Sequence, residues 1–184
     1  MLEFIAPKLK YLSYKDGKIA YVDTGNGPTL FCLHGMNGNS KSWTKLFHSL
    51  NSSYRIIAWD APSFGMSDVF GDNIEEYKNA AKTLIEKLKL KNIILIGHSM
   101  GGLIATQLAY DNDLSVSGLI LSSTHLGFGC QKGDALMPRY ANRLETFSSK
   151  HSDIGYAMER AQRNTPEGTS QEVIEFLANV ALSI

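Results

Sequence analysis

Residues 93–105 read IILIGHSMGGLIA: an apolar run that stops at Gly97, a serine set between glycines, and a second apolar run. The first run has the length and isoleucine content of a strand covered on both faces, while the segment after Ser99 is apolar almost all round, as a deeply buried helix would be. Gly97-His98-Ser99-Met100-Gly101 thus places G-x-S-x-G between a strand and a helix. In that setting small neighbours let the chain reverse sharply, and the serine, in a strained backbone conformation, projects its hydroxyl over the carboxyl end of the sheet. Gly102 lets the following helix sit close to its neighbours. The same residues could instead form a helix start whose serine caps the helix or helps to bind an anion; the strand-turn-helix context favours the first reading.

Further strands and helices alternate around this turn. KLKYLSYK and KIAYVDTG flank the turn residues Asp16 and Gly17 and predict an N-terminal antiparallel hairpin. TLFCLHG (29–35), YRIIAWD (54–60), NIILIGH (92–98) and VSGLILSS (116–123) read as parallel strands. Trp43, Leu46, Phe47 and Leu50 follow helical spacing, as does a longer stripe from Ile74 to Leu88 opened by Asn73 and Glu76 in the relation of a capping box. Strand and helix in this alternation predict an α/β fold, a three-layer sandwich with a mostly parallel sheet and right-handed crossovers.

After Ser123 the pattern changes. Residues 131–184 contain no convincing strand but three helical stretches, around Leu136, Tyr140, Leu144 and Phe147, around Ile154, Met158 and Ala161, and along Val173, Phe176, Leu177 and Val180. Thr169 and Glu172 are in capping-box relation for the third, and Thr165-Pro166 separates it from the second. The expected organisation is a core of six strands over 1–124 and a helical cap over 125–184, with the final core strands missing and the chain cut rather than finished.

A serine nucleophile needs donors aimed at the oxyanion of its tetrahedral intermediate. LHGMNGNS follows the strand 29–33, so His34-Gly35-Met36 ends on the same sheet edge as Ser99. The amide of Met36 and that of Met100, just after the serine, are the expected pair. LHGMNG after the third strand, WDAPSFGMSD after the fourth and GHSMGG after the fifth resemble, in that order, the α/β-hydrolase superfamily. The resemblance spans roughly residues 10–124 and extends to the helical cap. Relatives often read D-x-x-G-x-G-x-S in the second segment, where this chain has Ser63 in place of the first glycine. A serine at the elbow, rather than an acidic residue, argues against the dehalogenase and epoxide hydrolase chemistries of the family.

The hydroxyl of serine is a weak nucleophile until a base accepts its proton. The resemblance implies an acid after a seventh strand and a histidine after an eighth, and this chain shows neither strand. Of its histidines, His34 is placed to orient the oxyanion loop and His48 belongs to an amphipathic helix. His98 neighbours Ser99 with its side chain directed elsewhere, and His151 falls in the cap. His125, just past the sixth strand, reads as a residue lining the substrate pocket, and His34 is a second candidate for that lining; a triad improvised from His125 with Asp134 or Asp153 would break the Ser, acid, His order.

Eighteen basic and eighteen acidic side chains cancel with no basic block, so the chain lacks the field that nucleic acid or an anionic membrane surface requires. No window approaches the roughly 20 apolar residues of a membrane helix, and no leader is evident, which together with Cys32 and Cys130 outside any ligand spacing points to a cytoplasmic protein. No metal or organic cofactor is expected. A small-molecule substrate is. Three functions remain open: hydrolysis of a carboxylic ester, thioester or lactone through an acyl-enzyme; C–C bond hydrolysis of a ring-cleavage product; and a non-catalytic hydrolase-fold module that only binds. Without a seventh strand the edge of VSGLILSS is unpaired, and self-association through it is expected.

Overall fold

In the computed structural model, which describes residues 5–125, 135 and 138–183, the apolar runs form six strands: β1 (Lys10–Tyr14), β2 (Gly17–Thr24), β3 (Thr29–Leu33), β4 (Arg55–Trp59), β5 (Ile93–His98) and β6 (Val116–Ser122). Their order across the sheet is β1-β2-β4-β3-β5-β6. The first two pairings are antiparallel, and β4, β3, β5 and β6 run parallel. All four parallel strands therefore end on one edge, where the loops after β3, β4 and β5 meet.

Alternation along the strands sorts the core into two layers of side chains. Phe31, Leu33, Ile57, Trp59, Ile93 and Leu95 face α2 (Ile74–Lys87) and α3 (Met100–Ala109), packing with Tyr77, Leu84, Ile104 and Leu108. Leu30, Cys32, Ile56 and Ala58 face the opposite way, toward Phe47 of α1 (Thr44–Leu50). The sheet is thus covered by helices on both faces, the three-layer arrangement expected of near-continuous apolar strands. Cys32 is among the buried residues, where burial pushes its thiol well up from its ordinary range.

Two local readings are corrected. The hairpin turns at Lys15 and Asp16, with Lys15 at φ 49°, and Gly17 already belongs to β2. Glycine there serves close packing rather than the turn, because a Cβ would lie 2.6 Å from Asp68 Oδ2 and 3.0 Å from the Phe70 ring. At α6 (Gln171–Leu182) the N-cap is Ser170, not Thr169. Thr169 instead donates its hydroxyl to the Pro166 carbonyl at 2.7 Å and closes a turn through Gly168, which has φ 82°. The Asn73 cap of α2 is made on one side: Asn73 Oδ1 accepts from Glu76 N–H at 2.9 Å. The Glu76 carboxylate reaches away to Tyr14 at 2.9 Å and Lys15 at 2.7 Å, tying the helix to the hairpin.

The chain divides after His125 into two compact units. The second contains α4 (Pro138–Lys150), α5 (Ile154–Arg163) and α6. Ala157 and Ala161 of α5, small residues that let the two helices lie close, pack on Ile174 and Ala178 of α6. Leu136, Asp134 and Cys130, named above, lie outside the described residues. Among the described residues no helix is long and apolar enough to cross a membrane.

Candidate active site

The turn after β5 has the strain its sequence demands. Ser99 sits at φ 52°, ψ −116°, a region that side-chain-bearing residues rarely adopt and that costs of order 1–3 kcal/mol. Its neighbours explain why they are glycines. A Cβ on Gly97 would lie 2.5 Å from the Gly101 carbonyl oxygen and 2.6 Å from the Gly102 Cα, while one on Gly101 would overlap the Leu33 carbonyl oxygen. The first turn of α3 is therefore packed backbone against backbone on the end of β3. Ser99 itself is half-buried, and α3 begins at Met100, so the unpaired amides and positive dipole end of a helix lie at the serine.

The loop after β3 lies against this turn. A Cβ on Gly35 would be 3.1 Å from Ser99 Cβ and 3.1 Å from the His98 ring. The Gly35 carbonyl accepts from Gly38 N–H at 3.0 Å and contacts His34 Nδ1 at 2.7 Å. His34 Nε2 accepts from Ala61 N–H at 2.9 Å, so the ring proton is on Nδ1 and is donated to that carbonyl. With both donors on its oxygen, the trans Gly35–Met36 peptide turns its N–H to the other side. The Met36 side chain stands 57% exposed.

His34 is buried, edge-on to Phe64 at 5.1 Å between centroids. Burial lowers its pKa to about 4 against an ordinary 6.5; the Gly35 hydrogen bond and Asp60 act in the opposite direction, and His98 adds to the lowering. A neutral ring is what the geometry needs, since Nε2 must keep its lone pair for Ala61.

The loop after β4 closes the arrangement. Asp60, also buried, accepts from Ser40 N–H at 2.7 Å through Oδ1 and from Met66 N–H at 2.9 Å through Oδ2. One carboxylate thus ties the β3 loop to the β4 loop. The sequence reading did not single it out, although an aspartate directly after a buried strand was a visible signal. Ser63, where relatives carry glycine, holds φ 69°; the loop keeps its left-handed turn, and the hydroxyl donates to the Gly71 carbonyl at 3.3 Å.

The other histidines are distributed as follows. His98 is exposed at the end of β5; His48 contacts the Ile5 carbonyl at 3.0 Å through Nε2; His125 is exposed and closes the first unit; His151 is exposed in the second. Asp153 is the N-cap of α5, its Oδ1 accepting from Tyr156 N–H at 2.6 Å.

The family model described as alpha/beta hydrolase fold covers residues 28–182. The chain belongs to that family. Among curated relatives, the pimeloyl-[acyl-carrier protein] methyl ester esterase of Shewanella woodyi is 32% identical over 162 residues, covering 86% of this chain and 61% of that protein. The uncharacterized hydrolase YugF of Bacillus subtilis is 37% identical over 112 residues, 58% of this chain and 41% of that protein. An esterase from Thermogutta terrifontis superposes with a TM-score of 0.76 at 26% identity, covering 96% of this hydrolase-fold chain and 67% of that one. The chain spans about a third to three fifths of the length of the curated relatives it matches.

Proposed function

We propose that this member of the alpha/beta hydrolase family is a serine hydrolase that cleaves a small carboxylic ester, thioester or lactone through an acyl-enzyme on Ser99. The observation that carries the reading is the pairing of a strained serine at φ 52° with a Gly35–Met36 peptide whose carbonyl is held from behind. Ser99 Oγ attacks the acyl carbon, the carbonyl oxygen takes the negative charge, and the Met36 and Met100 N–H groups receive it at the start of α3. Collapse expels the alcohol or thiol with the proton taken from Ser99; water then attacks the acyl-Ser99 carbon by the same route, the C–Oγ bond breaks, the carboxylic acid leaves and Oγ recovers its proton. The family's Ser, acid, His order assigns the acid and the proton-accepting histidine to strands beyond the sixth. Esterases among the relatives support an ester substrate over a peptide.

The test is to incubate the protein with p-nitrophenyl acyl esters and measure intact mass and released phenol. The expected result is an acyl adduct on Ser99 and turnover, both lost in Ser99→Ala. Turnover of a vinylogous diketone in place of esters would replace the reading with C–C hydrolysis, and ligand binding without any adduct would replace it with a binding module.

A further inference from the structure

The strain at Ser99 must be held by something, and its hydrogen bonds identify the holder. The Ser99 N–H donates to the Ser122 carbonyl at 2.9 Å. Its carbonyl accepts twice, from Gly102 N–H at 2.9 Å within the first turn of α3 and from the Thr124 hydroxyl at 2.8 Å. Two of these three bonds come from the last residue of β6 and the residue two beyond it. The Thr124 side chain also occupies the place where a Cβ on Gly102 would stand, so glycine at 102 and threonine at 124 fit one another.

This hydroxyl differs in kind from six other threonine hydroxyls. Those of Thr44, Thr83, Thr106, Thr146, Thr165 and Thr169 bond carbonyls three or four residues earlier in their own segment, a local arrangement with little reach. Thr124 spans 25 residues to reach the one carbonyl whose direction is set by the strained turn. Rotating that carbonyl changes ψ of Ser99 and with it the placement of the Met100 amide.

We propose that Thr124 is a positioning residue of the nucleophile: its hydroxyl clamps the Ser99 carbonyl from the exit of β6 and holds the serine and the Met100 amide in their reactive arrangement. The inference rests on the assignment of Ser99 as nucleophile, but its backbone part stands on the hydrogen bond alone. Lost donation to a carbonyl in a half-buried turn corresponds to roughly three- to tenfold in rate, the size of one net hydrogen bond.

Thr124→Val keeps the shape and removes the donor; Thr124→Ser keeps the donor and removes a methyl. Two readouts are taken on each: inactivation by a fluorophosphonate, separated into its maximal rate and its half-saturating concentration, and hydrogen exchange at the Ser99 and Gly102 amides. The clamp predicts that valine lowers the maximal rate about three- to tenfold without altering half-saturation, speeds exchange at both amides, and that serine restores both to near the parent. Unchanged rate and exchange in Thr124→Val overturns it, as does faster exchange with an unchanged rate, which would make the bond structural only. If the parent protein is not inactivated, the assignment of Ser99 fails; unchanged exchange in the valine variant would then overturn the clamp as well, and faster exchange reversed by serine would uphold its backbone part. Should the valine variant not fold, Thr124→Ala removes the donor without adding an unmatched methyl and is read the same way.

Discussion

The turns after β3 and β5 lie side by side on one sheet edge and use opposite means. After β5 a side chain is presented, so the backbone is forced to φ 52° at Ser99 and glycines make the room. After β3 the Gly35 carbonyl is held from behind, no described residue from His34 to Ser40 holds a left-handed φ, and a buried histidine does the holding. Their supports differ as well. Strand β3 is sandwiched between β4 and β5 with all five residues buried, whereas β5 leans on β6, an edge strand whose Leu119, Ile120 and Leu121 are 39%, 51% and 45% exposed. The turn after β5 is constrained at its own residues; the turn after β3 is constrained by what lies behind it.

The comparison breaks most readily at Gly101. Gly101→Ala drives a methyl into the Leu33 carbonyl of the neighbouring strand, backbone that cannot yield, and is expected to destabilise by about 3 kcal/mol or more or to abolish folding. Gly38→Ala in the β3 loop would place a methyl 2.6 Å from the Ser42 hydroxyl and 3.3 Å from His34 Cβ, side-chain atoms rather than strand backbone, and should cost less. Thermal melts followed by circular dichroism rank the two; equal losses would erase the distinction.

Acid acts on the β3 turn instead. Since His34 has a folded pKa of about 4 and an ordinary value of 6.5, the unfolded chain binds its proton first. Stability from this group is complete above pH 6.5, falls as pH drops toward 4 by an amount on the order of 3 kcal/mol, and is flat below. Asp23 reports a separate window: burial alone would raise its pKa, but Arg55 and Lys10 outweigh this and hold it low, so its contribution is lost only below the ordinary carboxylate range. Denaturant titrations from pH 7 to 4 should therefore show a slope that His34→Asn flattens; an unchanged slope in that variant would remove His34 from the account.

At β6 the expected effect is on association. The strand has no charged residue from Val116 to Ser122, while β1 at the opposite edge carries Lys10 in an ion pair with Asp23 at 3.1 Å. Among the described residues no strand pairs with its outer side, and an uncharged, apolar edge of this kind is a template for pairing. Sedimentation velocity should find concentration-dependent association that Ile120→Lys weakens about tenfold; a monomer at all concentrations would show the edge to be inert. The smallest effect belongs to Ser63→Gly, where relief of the left-handed strain is offset by a more flexible unfolded chain and by loss of the Gly71 contact, leaving a net change on the order of 0.5 kcal/mol.

Much of this was legible in the residues because it was local. Short apolar runs bounded by turn residues gave strands within a residue or two, and G-x-S-x-G between strand and helix predicted the reversal at Ser99. What escaped was set by distant partners. Gly17 read as a turn glycine, yet Asp68 dictates it; Thr169 read as a cap, yet Pro166 takes its hydroxyl. Asp60 and Thr124 act across 20 and 25 residues, and no spacing announces such a bond. His34 was readable as an orienting residue from its place before Gly35, but the proton on Nδ1 follows only from Ala61.

The most direct test of the central claim is peptide mapping by mass spectrometry after treatment with a fluorophosphonate. The account predicts one adduct per chain, located on Ser99 and absent from Ser99→Ala. A folded protein that takes no adduct, or takes it on another residue, would contradict it.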